Sequence, residues 1–269
     1  MQKTILITGS TDGIGLATAQ LLVSQGHRVL LHGRSTAKLQ QVAASLVGLA
    51  GEGSIERYQA DLSNLAEVEA LAKAIADKHS RLDVLINNAG VLRAPDTRTA
   101  EGLDVRFVVN TLAPYLLTQR LLPLLGTSGR VVNVSSAAQA PVDLQALAGK
   151  VVLADDFNAY AQSKLALTAW SRYWALSLAS QGPILIAVNP GSMLGSKMVR
   201  EGFGVEGADL SIGAEVLVRA ALAAAFANAS GQYFDNDSGQ FAAPHTDALD
   251  PQKTAELVRT IERVLLKIA

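Results

Sequence analysis

Short, nearly unbroken apolar runs alternate along the chain with longer segments in which apolar residues recur every three or four positions. The runs are rich in Val, Ile and Leu and predict strands at Thr4–Thr8, Arg28–His32, Ile55–Gln59, Val84–Asn87, Arg130–Val134 and Ile184–Val188. The intervening segments predict helices at Ile14–Gln25, Ala37–Leu49, Leu65–His79, Gly102–Leu125 and Asn158–Gln181. Strands without polar alternation are buried on both faces, and strands that alternate with helices pair in parallel. Right-handed crossovers then make an α/β fold with a doubly wound parallel sheet.

No linker rich in Pro, Gly or Ser breaks this alternation and no solenoid repeat is visible, so residues 1–269 are expected to form a single domain. The pattern changes after Pro190, where Gly191, Gly195, Gly202, Gly204 and Gly207 crowd together. That density predicts a mobile loop at about 190–210. It would leave the carboxyl end of the sixth strand, where ligands of such sheets sit, and could act as a substrate loop. Further helices are predicted near Ser211–Asn228 and Pro251–Ile268. The stretch Gly231 to Gly239 predicts a strand followed by an aspartate turn. Its Asp235-x-Asp237-x-Gly239 resembles a fragment of a calcium loop, but the closing glutamate is missing.

Composition narrows the function classes. With 49% hydrophobic and 17% charged residues, the chain can bury a sizeable core. Its formal charge is −1 and its basic residues are scattered, which argues against nucleic acid or an anionic membrane as main partner. There is no cysteine, so disulfides, thiolate catalysis and cysteine-ligated metal centres are excluded. His27, His32 and His79 show no metal spacing. No stretch reaches membrane-span length, since Glu215 and Arg219 precede the apolar Ala220–Ala229, and the first apolar run is too short for a signal peptide. The expectation is a cytoplasmic protein.

Candidate chemistry begins directly after the first strand, at Gly9-Ser10-Thr11-Asp12-Gly13-Ile14-Gly15. Glycines there permit a tight turn and close approach of backbone to a pyrophosphate at the positive end of the next helix. The spacing is Gly-x-x-x-Gly-x-Gly, and an ordinary strand-to-helix turn is the bland alternative. The second strand ends His32-Gly33-Arg34 with no acid to bind ribose hydroxyls. Arg34, helped by Lys38, could instead pair with a 2′-phosphate, which favours NADP(H) over NAD(H); a solvated surface arginine is the alternative. Tyr160 and Lys164 stand four apart on a predicted helix and so share a face. An ammonium beside a phenol favours the phenolate, lowering its pKa toward a range useful for acid–base catalysis.

Taken in order, these segments resemble the short-chain dehydrogenase/reductase family, and they span roughly the first two hundred residues. The matching residues are Thr8 to Gly15, Asp61-Leu62, Asn87-Asn88-Ala89-Gly90, Asn110, Asn133-Val134-Ser135-Ser136, Tyr160-x-x-x-Lys164 and Asn189-Pro190-Gly191. The resemblance implies a Rossmann fold and hydride transfer between a nicotinamide nucleotide and a small-molecule carbonyl or alcohol. It implies that Gly9, Thr11, Asp12 and Ile14 line the pyrophosphate turn and that Asp61 and Leu62 hold adenine. Asn88, Ala89 and Gly90 would pass beneath the adenosine ribose, while Pro190, Gly191 and Met193 would flank the nicotinamide. Asp61 has a helix-capping alternative before Asn64-Leu65.

By the same resemblance Ser136, with Ser135 as its alternative, binds the substrate oxygen and Tyr160 donates the proton. Lys164 lowers the tyrosine pKa and holds the nicotinamide ribose. Asn110 helps to hold a water that resupplies the proton; its bland alternative is an amide bonding to a neighbouring strand. The 24-residue separation of Ser136 and Tyr160 is longer than usual, and the extra stretch is similar to that of the retinol-dehydrogenase-like branch, whose members commonly act on apolar substrates with NADP. After Pro190 the usual threonine spacing is missing, and Ser196 is the candidate replacement for its carboxamide contact. The family implies a homodimer or homotetramer, with which the extra stretch could interfere. Two other readings are a non-catalytic dinucleotide-binding regulator or scaffold, and a nucleotide-sugar epimerase or dehydratase. The joint presence of Ser136, Tyr160 and Lys164 disfavours the first, and the glycine spacing the second.

Overall fold

The computed structural model describes residues 1–51 and 53–268. Among them, all the strands join one sheet: β1 (Thr4–Ile7), β2 (Arg28–Gly33), β3 (Ser54–Gln59), β4 (Val84–Asn87), β5 (Arg130–Val134), β6 (Ile184–Asn189), β7 (Tyr233–Asp235) and β8 (Gln240–Ala242). Their order is β3-β2-β1-β4-β5-β6-β7-β8, so the winding reverses between β1 and β4. Such a reversal opens a crevice beyond the carboxyl ends of the strands.

Alternate residues of each strand feed opposite cores. Ile5, Ile7, Val29, Leu31, Val84, Ile86, Val132 and Ile186 face the core beneath α1 (Gly13–Ser24), α2 (Thr36–Leu46) and α9 (Leu210–Leu222). Leu6, Leu30, Leu85, Val131 and Leu185 face the other core. That one is covered by α3 (Leu65–Lys78), α5 (Ala113–Leu125), α7 (Asp156–Leu178) and α10 (Pro251–Ile268). Each fully buried aliphatic side chain contributes about 1.5–3 kcal/mol. This two-sided burial is why the strands read as continuous apolar runs. On the second face Tyr115, Trp170 and Trp174 stack with ring centroids 4.6–5.8 Å apart, and both tryptophans are core.

The expected parallel pairing holds for seven strands, and β8 differs: it runs antiparallel to β7. The aspartate turn at 236–239 supplies the physical reason, because Asp237 N–H bonds Asp235 Oδ1 (3.2 Å) and Gly239 takes φ +69°. The long helix expected over Gly102–Leu125 is instead α4 (Val105–Phe107), a π-helical turn at Val108–Leu112, and α5. Gly102 is left-handed and Asp104 caps α4 through Arg106 N–H, which sets the later start. The glycine-dense segment expected as a loop contains α8 (Lys197–Phe203), capped by Ser196, and Leu194 and Ala208 bridge at its base. The stretch between β5 and α7 contributes α6 (Leu144–Leu147), capped by Asp143.

Candidate active site

The chain leaves β1 in a turn that only glycine can make. Gly9 (φ +66°) and Gly13 (φ +54°) are left-handed, and a methyl on Gly9 would lie 2.9 Å from Ala89 Cα. A methyl on Gly15 would collide with the Gly9 carbonyl and the Asn88 amide. Asn88 Nδ2 donates to the carbonyls of Thr8 (2.9 Å) and Gly9 (3.1 Å), while Thr8 Oγ1 accepts from the N–H groups of Asn88 and Ala89. The post-β4 segment thus braces the turn. His32 braces its other side. Gly9 N–H donates to His32 Nδ1 (3.1 Å), which puts the ring proton on Nε2 facing Ala60 O (3.2 Å). Burial pushes this histidine down to about 4, so it is neutral. Asp12 caps α1 by accepting from Gly13 N–H (2.7 Å). A backbone-lined turn at the positive end of a 12-residue helix is a cradle that fits a pyrophosphate.

At the end of β2 the Arg34 side chain is exposed, and among the described residues its guanidinium has neither an ion pair nor a hydrogen bond. Lys38 is also exposed, in the first turn of α2, which Ser35 caps. Asp61 does not cap the following helix. Its Oδ1 closes a turn on Ser63, accepting from N–H (2.9 Å) and Oγ (2.7 Å), while Asn64 caps α3 through Ala66 N–H. Leu62 is buried, its side chain in the core.

Ser136, Tyr160, Lys164 and Asn110 meet beyond β4 and β5. Ser135 points inward, its hydroxyl 2.6 Å from Thr168 Oγ1, whereas the half-buried Ser136 hydroxyl bonds Tyr160. Lys164 is buried, with Nζ 5.6 Å from the Tyr160 ring centroid, and donates to Val134 O (2.7 Å). A methyl on Gly90 would lie 3.4 Å from Asn110 Oδ1, 3.5 Å from Lys164 Nζ and 3.7 Å from Met198 Cε, so Gly90 floors this pocket. The expected lowering of the tyrosine pKa is not what the protein alone produces. Burial raises it, and the Ser136 hydrogen bond only partly opposes the rise. Burial likewise brings the Lys164 ammonium down to about 8.

Asn110 occupies the π-helical turn. Its Oδ1 accepts from Val91 N–H (2.8 Å), and its Nδ2 donates to Val91 O and Ser163 Oγ (both 2.9 Å). The amide therefore ties the post-β4 segment to α7, close to its bland alternative, and its side chain is already engaged within the protein. Beyond β6, Pro190 O accepts from Asn236 Nδ2 (2.9 Å), Gly191 has φ +120° and Met193 is left-handed at φ +55°. Ser196, expected near a carboxamide, caps α8 through Val199 N–H (3.3 Å).

The part α8 plays beside this site has no counterpart among the sequence-based expectations. Met198 on α8 reaches toward Gly90 at the pocket floor, while Phe203, also on α8, meets Phe157 at the start of α7 in edge contact at 6.0 Å. A serine cap followed by the Lys197/Glu201 pair, i to i+4, was the available helix signal. His245, by contrast, caps the turn at Thr246–Ala248.

A family model described as short chain dehydrogenase matches residues 3–206. The chain belongs to the short-chain dehydrogenase family. It is 30% identical over 265 residues to retinol dehydrogenase 13 of Homo sapiens, spanning 91% of this chain and 80% of that protein, which supports the retinol-dehydrogenase-like branch. An uncharacterized protein from Mycobacterium Paratuberculosis superposes with a TM-score of 0.80 at 28% identity, covering 98% of this chain and 93% of its own. A short chain dehydrogenase from Burkholderia cenocepacia, solved in complex with NADP, gives a TM-score of 0.69 at 26% identity, covering 88% and 97% respectively. Membership makes this chain a pyridine-nucleotide-dependent oxidoreductase of the alcohol–carbonyl type.

Proposed function

We propose that this short-chain dehydrogenase prefers NADP(H) and acts on an apolar carbonyl or alcohol. The observation that carries the reading is the meeting of Ser136, Tyr160 and Lys164 over Gly90, beside the glycine turn. The bound nicotinamide would supply or accept hydride at the substrate carbon. Gly9, Thr11, Asp12 and Ile14 would hold the pyrophosphate; Asp61 and Leu62, the adenine. Asn88, Ala89 and Gly90 would lie beneath the ribose. Pro190, Gly191 and Met193 would border the nicotinamide. Ser136 Oγ would orient the substrate oxygen, and Tyr160, protonated at neutral pH, would deliver the proton to it. Lys164 would hold positive charge behind the tyrosine and bond ribose hydroxyls. Asn110 would keep the floor of the pocket in register with α7.

The NADP(H) preference is supported by Arg34, whose guanidinium has no partner among the described residues and whose own strand end, His32-Gly33-Arg34, carries no acid. A charge-assisted guanidinium–phosphate bond is among the strong hydrogen bonds, and NADH lacks the phosphate. The apolar substrate is supported by Met198 beside Gly90 and by the exposed Phe157–Phe203 pair that joins the start of α7 and the end of α8, 47% and 45% exposed. Following NADPH and NADH oxidation against aldehydes and ketones graded by size and polarity tests both halves. Faster turnover with NADPH, rising with apolar bulk, is expected. Equal use of both nucleotides, or preference for small polar carbonyls, would count against them.

A further inference from the structure

The turn after β7 grips, residue by residue, the segment that leaves β6. Asp237 accepts from Ser192 N–H (2.7 Å), Ser192 Oγ (2.6 Å) and Asn189 Nδ2 (2.8 Å). Asp235 Oδ1 accepts from the same Asn189 amide (2.8 Å). Asn236 N–H donates to Asn189 O (3.1 Å), and its Nδ2 reaches Pro190 O and, on α9, Ile212 O (3.4 Å). Asn189 Oδ1 in turn accepts from Gly191 N–H (3.3 Å). Every residue from 189 to 192 is therefore bonded either to this turn or through Asn189.

Sheet pairing does not require the arrangement. The parallel ladder between β6 and β7 ends at Asn189 opposite Asp235, so Asp237 lies beyond it. Two aspartates so close repel unless donors separate them, and Asn189 and Ser192 are those donors. The same donors hold the Asp237 carboxyl below its usual range in spite of burial. The held segment is also unusual in its backbone. Met193 carries a side chain at φ +55°, a conformation that persists only where the surroundings impose it. Those surroundings are Ser192, fixed on Asp237 before it, and Ala208 N–H, which donates to Met193 O (2.8 Å) after it.

We propose that Asp237 is a positioning residue: by clamping Ser192 it sets Pro190, Gly191 and Met193 at the edge of the site where the nicotinamide ring would lie. The inference rests on the cofactor reading above. Asp237 touches neither substrate nor cofactor in this role. It acts through the loop, which also explains why the hydroxyl of Ser192 is turned toward the aspartate.

The test compares wild type with Asp237→Asn, Asp237→Ala and Ser192→Ala by three measurements. The first is NADPH and NADH binding by calorimetry without substrate. The second is amide hydrogen exchange over residues 189–194 in nucleotide-free protein. The third is stereospecificity of hydride transfer, using NADPH deuterated at either C4 position. Asp237→Ala is expected to raise the NADPH dissociation constant about tenfold, speed exchange in that segment and reduce stereospecificity. Asp237→Asn, which keeps an acceptor, should fall between it and wild type. Ser192→Ala should show a smaller loss in the same direction, and so keeps the test open should Asp237→Ala misfold. The pH profile of turnover should not move, because Tyr160 and Lys164 are untouched. Equal affinity, exchange and stereospecificity in all four proteins, with wild type binding nucleotide, would overturn the clamp alone. A wild type that binds neither nucleotide would overturn the cofactor reading and the clamp with it.

Discussion

Lys164 keeps its charge in a place that works against charge. Its ammonium is buried and, among the described residues, its only hydrogen bond is to the Val134 carbonyl, and burial brings its pKa down to about 8. Below that value it is protonated, and above it the charge is lost. Tyr160 moves the opposite way and holds its proton at neutral pH. Carbonyl reduction needs both protons in place. Its rate at saturating nucleotide should therefore be level from about pH 6 to 7.5 and fall as pH rises through about 8, with alcohol oxidation relatively favoured there. A pH series on both directions checks this. Tyr160→Phe should lower reduction about 10²–10⁴-fold at every pH while nucleotide still binds. Arg34→Ala should weaken NADPH about 10–100-fold and NADH hardly at all, measured by titration, because an exposed guanidinium contributes only where a phosphate meets it. These residues were legible because their chemistry is local: four positions on a helix, or a strand end without an acid. The choice of Ser136 over Ser135 needed the fold, which turns one hydroxyl into Thr168 and the other toward Tyr160. The burial that dominates both pKa values likewise has no trace in the spacing.

The elements that carry these residues are held by their ends. Asp104 caps α4 and its carboxylate grips Arg106 at Nε (2.8 Å) and Nη2 (2.6 Å), while Arg106 Nη1 pairs with Asp156 in the first turn of α7. The arginine is 1% exposed, so its charge depends on these partners. One turn beyond Asp156 stands Tyr160, so this half-exposed pair ties the first turn of the tyrosine helix to the buried Arg106. Arg106→Ala would strand the Asp104 carboxylate and should cost about 3–5 kcal/mol in urea unfolding, with a larger loss of kcat than of nucleotide affinity. Arg106→Lys should recover only part, since an ammonium cannot make the forked contact. Helix positions were legible from periodicity, and their true starts from capping residues: Asp12, Ser35, Asn64, Asp104 and Asp155 each accept from an early N–H. What periodicity cannot show is α8. It spans seven residues with none fully buried, so it has no apolar stripe to betray it. Its position is set by contact: Arg93 donates to Glu201 O (3.1 Å), and a methyl on Gly202 would press Leu92 at 2.7 Å.

Across the whole molecule, the two cores give the sheet its stability and the residues buried with them give it a pH dependence. Among the described residues no helix is long and apolar enough to cross a membrane, and the amphipathic α10 instead lays Leu257, Val258, Ile261 and Val264 onto the second core. Its Glu262 accepts from the Tyr115 hydroxyl (3.0 Å), closing the aromatic stack from outside. The first core ends at His32, 2% exposed between the glycine turn and Ala60. In the unfolded chain this imidazole titrates near 6.5, and in the fold near 4. Between those values the unfolded state binds the proton and the folded state does not, so stability is full above about pH 6.5 and falls as pH drops toward 4. The loss is on the order of 3 kcal/mol by pH 4. His27, lowered by burial and by Lys3, adds a smaller slope of the same sign, and the carboxylates Glu56 and Asp237 add theirs only below their own unfolded range. Urea unfolding at several pH values, repeated on His32→Gln, separates these. The variant should be flatter between pH 6.5 and 4.5 and keep the steep acid limb below. An unchanged slope would place the titrating group elsewhere. Protonating His32 in the fold would also remove the acceptor for Gly9 N–H, so NADPH affinity of folded wild type should hold down to about pH 5, weaken as pH falls through about 4 and lose that dependence in the variant, coupling the acid limit of folding to the cofactor turn.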